Sequence, residues 1–313
     1  MSSALLTGLF NLLRPRQWTK NLVCLGGAFF GGRMFQPHPA GRACLAVAAF
    51  CAASSFVYII NDIFDRERDR KHPRKKLRPI ASGQVTVPQA LGFAVLMLAI
   101  AIALGACLGS AILGILGCYA ALNIAYSAGL KNLSLVDVTI VATGFILRIY
   151  AGTTAAGVIP SAWLLLCTFF LALFLAFGKR RAEINAASRS VFAGAGALLD
   201  PPDTTGVDIS ATRAVLQMYN VTMLDRFCNI CATLAIATYA LFTVLGHPDH
   251  NLIITTPPVV MGFFRYLLLV ERYHEGEAPE AILARDWGMQ LAILIWVILY
   301  VAVLYFGLKI DVQ

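Results

Sequence analysis

Residues 44–69 read CLAVAAFCAASSFVYIINDIFDRERD, an apolar run that ends abruptly in alternating acids and bases. The apolar part, taken as residues 43–60, approaches the roughly 20 residues that an α-helix needs to cross a bilayer. Other segments along the chain have the same character, so the sequence predicts an all-α bundle of nine transmembrane helices. The other eight segments are 21–35, 87–106, 110–126, 134–152, 161–178, 228–246, 252–271 and 289–308.

The composition of the 313 residues points the same way. Hydrophobic residues make up 58% of the chain and charged residues only 13%, whereas charged residues are about a quarter of a soluble domain. The net charge of +8 does not require a nucleic-acid partner, because the cytoplasmic loops of membrane proteins are rich in Lys and Arg. We therefore expect a single integral-membrane domain, residues 1–313, embedded in a lipid bilayer and without a nucleic-acid partner.

Cations mark one end of the predicted helices. They cluster before the first segment and in the two long polar connections, residues 61–86 and 179–227. By the positive-inside rule these regions face the cytoplasm, so the N-terminus is predicted to lie inside. Within the second connection, apolar residues recur at helical spacing over 211–227, which predicts an amphipathic helix at the membrane interface.

The acidic stretch after the second segment is the strongest candidate site. On a helix Asp62, Asp65 and Asp69 fall within an arc of about 60°, so three carboxylates share one face. Oxygen ligands without His or Cys suit a hard ion such as Mg²⁺, which usually bridges to substrate phosphates. The alternative is a solvated helix in which Arg66, Arg68 and Arg70 offset the acids.

A basic run follows the acids directly. Eight Lys or Arg residues lie between positions 66 and 78, more than membrane orientation requires. A metal-binding acidic face beside a basic loop is typical of a site for a diphosphate, whose departing charge the cations would stabilise. Several residues of this run are candidate phosphate contacts: Lys71, Arg74, Lys75 and Arg78.

The stretch Asn61–Asp69, together with the predicted helix count, resembles the first Asp-rich motif of the UbiA-type prenyltransferase superfamily. Further blocks resemble its decaprenyl-phosphate phosphoribosyltransferase branch. They are residues 14–21 (RPRQWTKN), 72–83 (HPRKKLRPIASG), 126–131 (YSAGLK) with 137–138, 144–148 (GFILR) and 178–183 (GKRRAE), with a weaker match over 213–219 and 224–225.

This resemblance implies a UbiA-like fold in the bacterial inner membrane and a reaction at its cytoplasmic side. The 5-phosphoribosyl group of phosphoribosyl diphosphate (PRPP) would pass to a polyprenyl phosphate, with Mg²⁺ as cofactor. Asp62, Asp65 and Asp69 would be the catalytic, metal-binding residues. The implied substrate-binding residues are Lys20, Asn61, Lys71, Arg74, Lys75, Arg78, Tyr126, Lys131, Asp137, Lys179, Arg180 and Glu183.

Two features depart from or stand outside this pattern. Other superfamily members carry a second Asp-rich motif where this chain has Lys179, Arg180 and Glu183, so the cluster suits an acceptor phosphate better than a second metal. Arg148 falls toward the outer end of the fifth segment, and we expect it to snorkel or to pair inside the bundle.

Two other functions compete with this reading. A prenyltransferase acting on an aromatic acceptor would share the metal motif and the fold. A transporter or flippase would instead be expected to have broken helices and midplane ions, and apart from Asp137 and Arg148 the predicted segments carry few charges. The sequence leaves open whether the protein is an oligomer.

Overall fold

The computed structural model describes residues 3–71, 75–194, 218–246, 250–273 and 285–308, and all regular secondary structure in these ranges is helical. The α-helices are α1 (Ser3–Leu13), α2 (Gly26–Phe30), α3 (Pro37–Phe64), α4 (Arg66–Lys71), α5 (Val87–Leu108), α6 (Ser110–Ala128), α7 (Val136–Ala156), α8 (Ala162–Gly194), α9 (Val221–Leu245), α10 (Thr256–Tyr273) and α11 (Trp287–Phe306). Shorter 3₁₀ helices are Pro15–Leu25, Lys75–Leu77, Leu130–Asn132 and His250–Thr255.

Eight of these helices are long and apolar enough to cross a bilayer within the described ranges, namely α3 and α5 to α11. They correspond to eight of the nine segments that the sequence predicts. The all-α membrane fold is therefore confirmed, and the predicted count of nine is approximate.

The ninth predicted segment, 21–35, has a different geometry. The chain forms a 3₁₀ helix over Pro15–Leu25 and continues as α2 to Phe30. Because a 3₁₀ helix rises about 2.0 Å per residue, this stretch is roughly 30 Å long, close to the thickness of the hydrocarbon core. It runs antiparallel to α3, since the indole of Trp18 donates to Ser55 (3.1 Å) and Asn21 donates to Ser54 (3.1 Å).

The chain divides into two compact units. Unit 1 comprises residues 1–131 and 143–160, and unit 2 comprises residues 132–142 and 161–313. Helix α7 thus supplies its first turns to unit 2 and the rest to unit 1. The interpretation of the chain as one domain stays a prediction.

Two glycines allow close backbone packing in unit 1. A Cβ atom added at Gly152 would lie 1.8 Å from the carbonyl oxygen of Cys24, and one added at Gly27 would lie 2.3 Å from the amide nitrogen of Thr153. The stretch Pro15–Phe30 therefore packs against the backbone of α7, a contact that only glycine permits at these positions.

We expect Gly152→Ala to lower the free energy of unfolding by about 2–3 kcal/mol, because backbone atoms must move to make room for the methyl group. The matched control is Gly117→Ala in α6, where a Cβ meets nothing within 4 Å. The control should be neutral or slightly stabilising because alanine favours helix. Unfolding of both variants in mixed micelles measures the difference, and equal stability of the two would contradict the packing argument.

Arg148 is buried inside unit 1, where its guanidinium has hydrogen-bond partners. Its guanidinium donates to the side-chain oxygen of Asn21 (2.8 Å), the carbonyl oxygen of Gly144 (2.8 Å) and the hydroxyl of Tyr119 (3.0 Å). It also lies over the ring of Phe50, 5.7 Å from the centroid. The structure thus places Arg148 in a polar and aromatic network within the bundle, the second of the two environments expected from the sequence.

In unit 2, α8 is longer than the sequence predicts. The polar connection was expected to begin at residue 179, but α8 continues to Gly194. The connection expected from residue 179 thus begins as helix, and the ion pair of Arg180 and Glu183, one turn apart, favours the helix at this point.

The amphipathic helix predicted over 211–227 lies partly outside the described residues, and its last part belongs to another helix. Residues 211–217 lie outside the described residues, and α9 begins at Val221 after an N-cap in which the Asn220 side chain accepts from the amide of Met223. Residues 221–227 are therefore the first turns of a membrane-spanning helix.

Candidate functional site

The acidic stretch lies where α3 gives way to α4 in unit 1. Helix α3 ends at Phe64 and α4 begins at Arg66, but the amide of Asp69 donates to the carbonyl of Asp65 (2.8 Å), so the chain keeps a helical path between them. This local geometry keeps Asp62, Asp65 and Asp69 on neighbouring turns, as their spacing predicts.

Two of the three carboxylates point to one cationic atom. Nη1 of Arg78 lies 3.0 Å from Oδ1 of Asp62 and 2.6 Å from Oδ2 of Asp69. Arg14 adds a second cation, with its Nη2 2.5 Å from Oδ1 of Asp62 and its guanidinium over the ring of Tyr58. The carboxylates are buried, 2% and 4% exposed, whereas the arginines are 24% and 28% exposed. The arginines therefore lie between the acids and the accessible surface.

The third carboxylate has a different partner. Oδ1 of Asp65 contacts Nζ of Lys131, which follows α6. Beside it, Asn61 accepts a hydrogen bond from the hydroxyl of Ser127 at the end of α6 (3.0 Å). These two contacts fix the end of α3 to the end of α6, so the predicted residues Asn61, Asp65 and Lys131 lie close together.

The remaining predicted residues of this region are placed as follows. Lys71 is the exposed last residue of α4, Lys75 begins a 3₁₀ turn, Lys20 lies in the 3₁₀ helix Pro15–Leu25, and Tyr126 is half-buried in the last turn of α6. Arg74 lies outside the described residues.

The donor set fits a hard divalent cation in a limited way. Two carboxylates, Asp62 and Asp69, converge on one positively charged atom, which is what two ligands of one metal ion must do. Among the described residues no group of three or more His, Cys, Asp or Glu side chains is arranged to hold a metal. The convergence of Asp62 and Asp69 is compatible with Mg²⁺, which is commonly held by one or two carboxylates and completed by substrate phosphates and water.

A second charged cluster lies in unit 2. Asp137, in the first turn of α7, is fully buried and its Oδ2 is 2.8 Å from Nε of Arg180. Arg180 also pairs with Glu183, 2.7 Å away. Lys179, the neighbouring residue on α8, is exposed. The structure thus brings together Asp137, Arg180 and Glu183, and the buried arginine is engaged by two carboxylates.

Tyr219 joins this cluster from the residues just before α9. Its hydroxyl accepts from the amide of Leu135 (2.6 Å), a residue with φ of 67°, and donates to Oδ1 of Asp137 (3.2 Å). Burial and the nearby Asp137 carboxylate raise the pKa of Tyr219 above its ordinary value. The phenol therefore stays protonated and keeps its donor for the buried carboxylate.

Reasoning from the sequence did not assign four of the residues in these clusters. Arg14 and Tyr219 lie at the edges of the family-like blocks 14–21 and 213–219, and Ser127 follows Tyr126 in another block, so the blocks carried a signal for all three. Asp225 pairs with Arg181 on α8. Asp225 lies in the weaker family-like match 224–225, but its partner is 44 residues away in the chain, and no spacing rule reveals such a pair.

Comparisons with known proteins agree with this architecture. Decaprenyl-phosphate phosphoribosyltransferases of Corynebacterium glutamicum and Mycobacterium tuberculosis H37Rv are 34% and 32% identical to this chain, covering 95% and 97% of it and 87% and 96% of their own lengths. A UbiA homolog from Archaeoglobus fulgidus bound to GPP and Mg²⁺ has the same fold, with a TM-score of 0.69 and 19% identity over 95% of this chain and 99% of that one.

The sequence profile of the UbiA prenyltransferase family matches residues 22–195, more than half of the chain. This range begins in the 3₁₀ helix Pro15–Leu25 and contains the acidic stretch, Arg78, Asp137, Arg180 and Glu183, whereas Arg14 and Tyr219 lie outside it. The family expected from the motifs is therefore confirmed: the chain belongs to the UbiA prenyltransferase family.

Proposed function

We propose that this protein transfers the 5-phosphoribosyl group of PRPP to a polyprenyl phosphate and releases diphosphate, with Mg²⁺ as cofactor. The observation that carries the proposal is the similarity, over nearly the full length, to relatives named decaprenyl-phosphate phosphoribosyltransferase. The buried Asp62 and Asp69 with partly exposed arginines in front of them support it, because this order suits an anionic donor that carries a divalent cation.

The donor diphosphate is proposed to bind at the first cluster, which consists of Asp62, Asp69, Arg14 and Arg78. Asp62 and Asp69 would hold Mg²⁺, and Asp65 is retained as the third predicted ligand. When bound, the metal supplies positive charge that neutralises and orients the leaving diphosphate. Arg14 and Arg78 each have accessible surface and can turn an N–H group toward diphosphate oxygens while they continue to screen the buried acids.

The acceptor needs no strong general base. A phosphate monoester is already anionic, so its oxygen can attack the anomeric carbon of the ribose as the bond from that carbon to the diphosphate breaks. The leaving diphosphate takes the bonding electron pair. Catalysis then consists of positioning and electrostatic stabilisation. This accounts for a site made of acids, arginines and lysines.

The acceptor phosphate is proposed to contact the second cluster, with Lys179 as its principal residue. Arg180 is held by Asp137 and Glu183, so its role is to fix the part of α8 on which Lys179 lies. The cation-rich ends of the helices suggest that the reaction takes place at the cytoplasmic face, with the N-terminus inside and the protein in the bacterial inner membrane.

Transfer by the purified protein in lipid vesicles tests the proposal directly. With Mg²⁺, PRPP labelled in the ribose and a polyprenyl phosphate, we expect a labelled lipid that is absent when EDTA removes the metal. The unlabelled second product should be diphosphate. A parallel reaction contains a prenyl diphosphate and an aromatic acid.

Failure to label any lipid across several chain lengths, together with prenylation of the aromatic acid, would overturn the phosphoribosyl proposal. It would leave the family assignment and the first cluster as a diphosphate site. Labelled lipid that persists in EDTA would overturn the requirement for a metal.

A further inference from the structure

Helix α1 has a surface that the proposed reaction does not use. With 11 residues it is about 16 Å long, too short to cross a hydrocarbon core of about 30 Å. One face packs on the core of unit 1 through Leu5, Leu9 and the fully buried Leu12. At Gly8 an added Cβ would lie 2.8 Å from Val85, so α1 rests on the turn that precedes α5.

The face of α1 that points away from the core is exposed and carries two large apolar side chains, Leu6 and Phe10, beside the polar Thr7 and Asn11. Leu6 is 54% exposed and Phe10, one turn later, is 59% exposed. No charged residue lies between Ser3 and Leu13. A helix with one face on the protein core and large apolar side chains on the other is typical of a segment that lies along a membrane interface.

Two exposed basic residues lie close in sequence to Arg14 and Arg78, which both contact Asp62. Arg16 is exposed two residues after Arg14, and Lys76 is exposed in the 3₁₀ turn Lys75–Leu77, just before the turn on which α1 rests. Leu77 is itself 76% exposed next to Lys76. Large apolar side chains bordered by cations complement a bilayer surface that carries anionic headgroups.

We propose that the exposed face of α1 is a binding surface for anionic phospholipid, with Leu6 and Phe10 inserted at the acyl boundary and Arg16 and Lys76 on the headgroup phosphates. The chain leads directly from this surface to the first cluster. Arg14 follows α1 directly, turns the chain in a left-handed conformation (φ 51°) and pairs with Asp62.

Photocrosslinking in the full-length protein tests this surface. A benzoyl-phenylalanine replaces Phe10, a conservative change at an exposed aromatic position, and the protein is placed in vesicles of phosphatidylcholine with or without phosphatidylglycerol. We expect phospholipid adducts at position 10, with phosphatidylglycerol enriched over its share of the bilayer. The same probe in place of Leu9, which packs on the core, should give crosslinks within the chain.

Neutral variants of the two basic residues test the contribution of charge to the crosslinking of phosphatidylglycerol. Arg16→Gln and Lys76→Gln should each lower the enrichment of phosphatidylglycerol about fivefold, the effect of one basic residue near an anionic surface. Covalent dimers at position 10 would show that a second copy of the chain covers α1 and would overturn the proposal. A lack of adducts, or lipid adducts without phosphatidylglycerol enrichment, would also overturn it.

Discussion

The Asp69→Asn variant is expected to lose phosphoribosyl transfer by about 10²–10³-fold, the usual cost of removing one preorganised electrostatic group from an active site. Asp69 is buried and shares Arg78 with Asp62, so its charge helps to hold a cation at the point where the donor diphosphate is proposed to bind. Initial rates over a range of Mg²⁺ concentrations measure the effect, and the apparent affinity for Mg²⁺ should fall together with the rate.

The matched control is Glu67→Gln on the same helix. Glu67 is 73% exposed and pairs only with surface arginines in the described contacts, so its neutralisation should leave the rate nearly unchanged. Equal losses in both variants would indicate a general effect of charge on α4 and would count against a role for Asp69 in the site.

We expect Asp137→Asn to lower the free energy of unfolding by about 3–5 kcal/mol, because it leaves Arg180 buried without its fully buried carboxylate partner. Glu183 stays in contact with the arginine but is partly exposed, so it cannot replace the lost charge in full. Unfolding in mixed micelles measures the loss. The double variant Asp137→Asn/Arg180→Gln should regain part of it, since no buried cation is then left unpaired.

The stability loss of Asp137→Asn is compared with that of Asp225→Asn. The second variant removes the carboxylate partner of Arg181, the next residue of α8, but Asp225 is 37% exposed, so water can take its place, and Arg181 keeps its hydrogen bond to the carbonyl oxygen of Val270. We expect a loss of about 1 kcal/mol at most. An Asp137→Asn loss no larger than that of Asp225→Asn would mean that the buried pair contributes little to stability.

The membrane fold could be predicted because long apolar runs have few alternatives in lipid. The carboxylate face was also readable, since Asp62, Asp65 and Asp69 are local in sequence and helical spacing decides their relative position. Helical spacing does not predict which partner each of these three carboxylates contacts. Asp65 turns to Lys131, 66 residues away, whereas Asp62 and Asp69 share Arg78.

The second cluster was harder to predict for the same reason. Lys179, Arg180 and Glu183 suggest a surplus of cations when only α8 is considered. Two partners come from other helices: Asp137 of α7 pairs with Arg180, 43 residues away, and Asp225 of α9 pairs with the adjacent Arg181, 44 residues away. A pattern within one helix cannot show whether a charge is balanced by another helix.

The 3₁₀ helix Pro15–Leu25 aligns its side chains differently from an α-helix. Side chains three residues apart are eclipsed in such a helix. Trp18, Asn21 and Cys24 therefore form one straight row, which Gly27 continues into α2, and members of this row make the contacts with α3 and α7. One inserted residue would turn everything beyond it by about a third of a turn and replace every later member of the row at once. A one-residue shift in this segment would therefore displace all of its contact residues together, as a one-residue slip does in a β-strand.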